Sequence, residues 1–140
     1  MGLKPLPQGC IEYFAGMQFN HLHFFVDDTA TWHDKFVRTW GATTVPQVQP
    51  GQNAPGPGHT RVVCLGQVPL VLSAPKSSGD LVDRYLRCHP PGIGDVAFQV
   101  KHLEQTVASL VARGGTLLEP IQTAPDGTLR WCRVQGWELL

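Results

Sequence analysis

The segments Asn20-His21-Leu22-His23-Phe24-Phe25-Val26 and Gly94-Asp95-Val96-Ala97-Phe98-Gln99-Val100 stand 74 residues apart, and the same offset lays Gly41 on Gly115 and Pro46 on Pro120. One register therefore holds through a strand, a helix and the start of the next strand. Self-similarity on this scale means one supersecondary unit used twice, because a single unit cannot bury its apolar face alone.

Helix and strand signals fill in the unit. Gln18 to Val26 predicts a strand and Thr29 to Thr39 a helix, with Asp28 as N-cap and Gly41 just past the end. Trp32, Phe36, Val37 and Trp40 form the stripe of a helix that lies on a sheet. Thr43 to Val48 predicts the next strand, Gln49 to Gly58 a Pro- and Gly-rich loop, and Thr60 to Leu65 with Val68 to Ser73 a hairpin about Gly66-Gln67. The order is β-α-β-β-β. A connector from Pro75 to Gly92 holds a short helix over Asp80 to Arg87. The second copy then runs as a strand at Gly94 to Val100, a helix at Leu103 to Arg113, and strands at Thr116 to Gln122 and Leu129 to Val134 about a turn at Asp126-Gly127. Only Trp137 to Leu140 remains for its last strand, which is expected to be cut short.

Alternation sorts the side chains. Leu22, Phe24 and Val26, like Val96, Phe98 and Val100, form apolar faces expected beneath the two helices. His21, His23 and Phe25 in one copy, and Asp95, Ala97 and Gln99 in the other, point to the opposite side. Ligand-capable groups thus face whatever concavity the sheets enclose.

Composition narrows the partners. The 140 residues fit one domain with an ordinary 42% hydrophobic content, and eleven basic residues balance eleven acidic ones with no run of either sign. Nothing marks a nucleic-acid or membrane partner, so a small molecule or a protein is expected. Cys10, Cys64, Cys88 and Cys132 have no CxxC spacing and are expected as free thiols in a reducing cytoplasm. No apolar stretch is long enough to span a bilayer or to form a signal peptide, and Met1 to Gly16 is read as an N-terminal extension. GxGxxG, P-loop, HExxH and GxSxG patterns are absent, which leaves nucleotide-binding, zinc-peptidase and serine-hydrolase readings without support.

Two β-α-β-β-β modules in this order resemble the vicinal oxygen chelate superfamily, which includes glyoxalases, extradiol dioxygenases, bleomycin-resistance proteins and 4-hydroxyphenylpyruvate dioxygenases. The resemblance covers residues 17 to 140, with modules at 17–74 and 93–140 and a connector at 75–92. It implies an α+β domain with a curved, partly closed mixed sheet. Asn20 through Asp28 and His89-Pro90-Pro91-Gly92-Ile93-Gly94-Asp95-Val96-Ala97-Phe98-Gln99-Val100 are most similar to the N-terminal half of 4-hydroxyphenylpyruvate dioxygenases, as are Ala112-Arg113-Gly114-Gly115 and Glu119-Pro120.

In that family two module pairs stand in tandem, and two histidines and a glutamate of the C-terminal pair hold iron(II). The resemblance therefore implies a non-catalytic half here, with iron dioxygenase chemistry supplied by sequence beyond this chain. Carried over residue by residue, His21 takes the first-strand metal position, Asp95 its counterpart in the second copy, and Glu138 the last-strand glutamate; Val71 cannot bind metal. His23, two residues from His21 on the same face, and Phe25 are expected to line the pocket.

Each position has a second reading. His21 is a ligand or a buried histidine with a hydrogen-bond partner, Asp95 a ligand or an acceptor for a neighbouring amide, and Glu138 a ligand or a solvated residue near the chain end. Two alternatives accordingly stand beside the non-catalytic half. One is a self-contained dimeric enzyme that holds iron(II) or another divalent metal at His21, Asp95 and Glu138. The other is a metal-free binding module of the bleomycin-resistance kind. Pairing is expected in each case, as a homodimer or with a second domain of the same kind.

Overall fold

The computed structural model describes residues 17–45, 59–127 and 129–135. Phe19–Phe98 forms one compact unit, and the chain from Gln99 onward belongs to a second. The expected loop at Gln49 to Gly58, the thiol of Cys10 and the last strand at Trp137 to Leu140 lie outside the described residues.

In the first unit, β1 (Met17–Phe25) leads into α1 (Thr29–Trp40), β2 (Thr43–Val45) and the hairpin of β3 (Thr60–Leu65) and β4 (Val68–Ser73). Then come α2 (Leu81–Cys88) and β5 (Gly92–Val100). The strands lie in the order β2-β3-β4-β1-β5, with β2, β3 and β4 mutually antiparallel and β1 parallel to β4. A parallel neighbour needs a crossover, and α1 with the β2-β3 segment supplies it.

The α1 boundaries follow from local chemistry. Asp28 Oδ2 accepts from the Thr31 amide at 3.1 Å, which satisfies a donor that the helix itself leaves open. At the other end Gly41, with φ of 70°, takes the left-handed conformation and donates its N–H to the Phe36 carbonyl. Between them Phe36 turns down onto Val26, Val63, Leu70 and Leu72, with Leu22, Phe24, Trp32 and Val37 packed around this core. Fully burying a side chain of this size contributes roughly 1.5–3 kcal/mol. Trp40, expected in the same stripe, is the last residue of the helix and is 66% exposed.

β4 is buried on both faces. Leu70 and Leu72 point to α1, while Val71 and Ser73 point the other way, beside Val62 of β3. That double burial explains the near-continuous apolar run Val68-Pro69-Leu70-Val71-Leu72.

In the second unit α3 (Leu103–Ala112) rests on the hairpin of β6 (Thr116–Thr123) and β7 (Arg130–Gln135). The register of that hairpin shifts on both sides of Glu119, next to Pro120, which has no N–H to give the ladder. Val96 and Phe98 of β5 are 45% and 50% exposed. The described residues thus form an α+β fold with three helices, a mixed five-stranded sheet and a two-stranded antiparallel sheet, the fold class that the resemblance implied. No helix among them is long and apolar enough to cross a membrane.

Phe25 and Gly94 make the tightest approach. A Cβ at position 94 would stand 2.2 Å from Phe25 Cδ2, inside any permitted contact. The Phe25 ring is 2% exposed and has no room to retreat. Gly94→Ala is therefore expected to lower stability by about 1–3 kcal/mol, the usual cost of overpacking. A urea transition moved to a lower midpoint with an unchanged slope would show it.

Candidate functional site

The face of the sheet opposite α1 carries the polar residues. Parallel pairing of β1 with β4 sets Phe25 beside Ser73 and His23 beside Val71, and antiparallel pairing sets Thr60 beside Ser73. His21, His23, Phe25, Val71, Ser73 and Thr60 therefore share one side. His21, His23 and Ser73 are buried, with 4%, 8% and 1% of their surface exposed.

A chain of hydrogen bonds crosses this face. Thr60 Oγ1 lies 3.3 Å from Ser73 Oγ, and Ser73 Oγ lies 2.6 Å from His23 Nε2. On its other side His23 Nδ1 stands 3.5 Å from Asp95 Oδ2. With the carboxylate beside Nδ1, the proton of a neutral His23 belongs there, and Nε2 accepts from the Ser73 hydroxyl. Nε2 of His23 is thus hydrogen-bonded and Nδ1 faces a carboxylate.

His21 sits next along β1, its ring 6.1 Å from that of His23. Its Nδ1 lies 2.7 Å from Asn20 Oδ1, which can only accept, so the proton is on Nδ1. Burial, and then the neighbouring His23, push its pKa from 6.5 down to about 4, against the opposing pull of the Asp95 charge. At neutral pH His21 is an uncharged imidazole.

The structure thus brings His21, His23, Phe25 and Asp95 of the expected site to one region, and Glu138 lies outside the described residues. Among the described residues no three His, Cys, Asp or Glu side chains are arranged to hold a metal ion. His23 is committed to Ser73 and Asp95, so the described donors do not by themselves fit iron(II), which needs at least three protein ligands. Ser73-His23-Asp95 has the hydroxyl, imidazole, carboxylate order of a nucleophile relay. Ser73 is only 1% exposed, so the relay does not present a nucleophile at the surface.

Phe25 does not stand open to a pocket. Its ring meets that of His23 at 4.9 Å on one side and that of Tyr85, from α2, at 5.2 Å on the other. Ser73 and Tyr85 were not anticipated from the sequence. The parity of Ser73 with Val71 was a usable signal, but it becomes informative only once β4 is known to lie beside β1. Nothing in the spacing of α2 marks Tyr85.

Comparison with known proteins places the fold. No family model matches the chain. An uncharacterized protein of Synechocystis sp., slr0090, is 38% identical over 119 residues, which cover 82% of this chain and 34% of that protein. A mutant of 4-hydroxymandelate synthase from Streptomyces coelicolor superposes with a TM-score of 0.69 at 19% identity, over 85% of this chain and 35% of the synthase. Methylmalonyl-CoA epimerase from Mycobacterium tuberculosis does so with a TM-score of 0.60 at 17% identity, over 84% and 78% of the two chains. A xylose isomerase-like TIM barrel/4-hydroxyphenylpyruvate dioxygenase fusion protein gives 0.54 at 15% identity, over 81% of this chain and 19% of the fusion. The fold is that of the vicinal oxygen chelate proteins. The chain spans about a third of the length of slr0090 and of the synthase.

The depressed His21 pKa has a consequence for stability. Between pH 4 and 6.5 the unfolded chain binds a proton at His21 that the folded chain does not, so stability rises with pH across this window. The shift corresponds to a loss on the order of 3 kcal/mol on going from pH 7 to pH 4. In urea titrations across that range, His21→Asn is expected to remove this part of the slope.

Proposed function

We propose that this chain is the non-catalytic module pair of a 4-hydroxyphenylpyruvate dioxygenase-like protein, and that it pairs with a second domain of the same fold which carries the iron chemistry. The observation that carries the non-catalytic reading is the commitment of His23. His23 Nε2 is taken by Ser73 Oγ at 2.6 Å and Nδ1 faces Asp95 Oδ2 at 3.5 Å, so the ring is held between β4 and β5 by protein groups. The choice of branch is supported by the His89-Pro90-Pro91-Gly92 segment, and by the share of slr0090 and of the synthase that the chain spans, about a third. In such an arrangement this half contributes a rigid scaffold and contacts to its neighbour, and substrate turnover resides elsewhere.

One observation favours a second reading. His21 is held neutral, the form in which imidazole binds metal, with Asp95 near enough to act on its charge. If Glu138 supplied a third donor, a divalent ion at His21, Asp95 and Glu138 would make the chain a self-contained metalloenzyme.

Metal content separates the two. After anaerobic loading with iron(II) and removal of free ion, the purified chain is expected to retain iron far below one per chain, at a level unchanged in His21→Ala. Stoichiometric iron that disappears in His21→Ala would replace the scaffold reading with the metalloenzyme.

A further inference from the structure

We propose that the outer edge of β5 is a docking site for an extended segment of a second polypeptide, taken up as a parallel strand with apolar side chains at alternate positions. β5 ends the sheet in the order β2-β3-β4-β1-β5, and among the described residues no strand pairs with its outer side. Proteins usually protect such an edge by keeping the strand short or by placing prolines and lysines on it. β2, at the opposite end, is protected in the first way, with three residues. β5 runs for nine, Gly92–Val100, and contains no proline, lysine or arginine. Asp95, its one charged residue, faces His23. Ile93, Val96 and Phe98 are exposed large apolar residues on the same strand. Open backbone groups flanked by apolar side chains are the elements that recognise one more strand.

The repeat specifies which strand fits. β1 and β5 are counterparts, and the offset of 74 lays Leu22 to Phe25 over Val96 to Gln99. On its side away from β5, β1 holds β4 in parallel, with Leu22 beside Leu70, His23 beside Val71, Phe24 beside Leu72 and Phe25 beside Ser73. Leu22 and Phe24 thereby share the α1 core with Leu70 and Leu72. Val96 and Phe98 hold the matching positions of β5. A strand that runs beside β5 in this direction and register would set two large apolar side chains next to Val96 and Phe98, and smaller ones next to Ala97 and Gln99. The occupant is thus a segment with the pattern of Val68–Ser73.

On the pairing proposed above, that segment belongs to the second domain. Strand docking is read without iron, so its failure would leave the scaffold reading standing, and stoichiometric iron would leave the docking edge standing.

The test uses the full chain and a synthetic peptide of the Val68–Ser73 sequence, with lysines at both ends for solubility, followed by amide NMR and hydrogen exchange. In the chain alone, the β5 amides that point away from β1 are expected to exchange freely. Added peptide is expected to shift and protect them saturably, while the amides of β2 stay unchanged. A nitroxide at the N-terminus of the peptide is expected to broaden signals near Gly94, and one at its C-terminus signals near Val100, as parallel pairing requires. Val96→Lys and Phe98→Lys change exposed positions that the fold tolerates, and each is expected to weaken binding at least about tenfold. Outward β5 amides that are protected without peptide would overturn the docking edge, since the chain itself or a second copy then fills it. Absence of saturable binding, the opposite peptide direction, or binding unchanged in both folded lysine variants would overturn it as well. If the lysine variants fail to fold, protection and peptide direction on the unaltered chain decide.

Discussion

The parallel pairing of β1 with a strand buried on both faces is the constraint from which the rest of this unit follows. Because β4 presents Leu70 and Leu72 to α1, and Val71 and Ser73 to the other side, any strand beside it in register is sorted the same way. Leu22 and Phe24 join the α1 core, and His21, His23 and Phe25 are carried to the opposite face. A slip of one residue would exchange the two sets, placing two imidazoles under an apolar helix. The hydrophobic run of β4 therefore fixes where polar chemistry is possible, although it contributes none of that chemistry.

Once delivered there, the polar groups must find partners, since a buried imidazole or hydroxyl left unpaired costs about 1–3 kcal/mol. Their solution is internal. Thr60, Ser73, His23 and Asp95 form one continuous network, and His21 turns to Asn20. A site awaiting a metal ion would keep lone pairs directed at a common point. Here His23 has Nε2 on Ser73 Oγ and Nδ1 facing Asp95, contacts that join β1 to β4 and β5.

Much of the fold was legible because it depends on local signals. Asp28 and Gly41 bound α1 as capping chemistry predicts, and Gly66-Gln67 turns the β3-β4 hairpin where the apolar runs break. The face that carries His21, His23 and Asp95 was legible too, since strand alternation is a property of each strand alone. Ser73 and Tyr85 were not, because their roles depend on which strand lies beside β4 and on where a short helix comes to rest. Spacing within a segment holds neither fact. Trp40 shows the converse, since an apolar side chain at the right period is buried only where another element covers it.

The repeat itself explains why the two copies are not chemically equivalent. Its offset aligns Asn20 with Gly94, His21 with Asp95, His23 with Ala97 and Phe25 with Gln99. Backbone geometry is repeated, yet every residue on the polar face has diverged, and in a direction that packing requires. A first copy with Phe25 needs a neighbour without a Cβ, and the second supplies Gly94. A first copy with two buried histidines needs a carboxylate where the second would otherwise repeat a histidine, and it has Asp95. Identical faces would set ring against ring and imidazole against imidazole. Divergence at these positions converts a duplicated module into a complementary pair, and it leaves β1 and β5 specialised for each other before any ligand is considered.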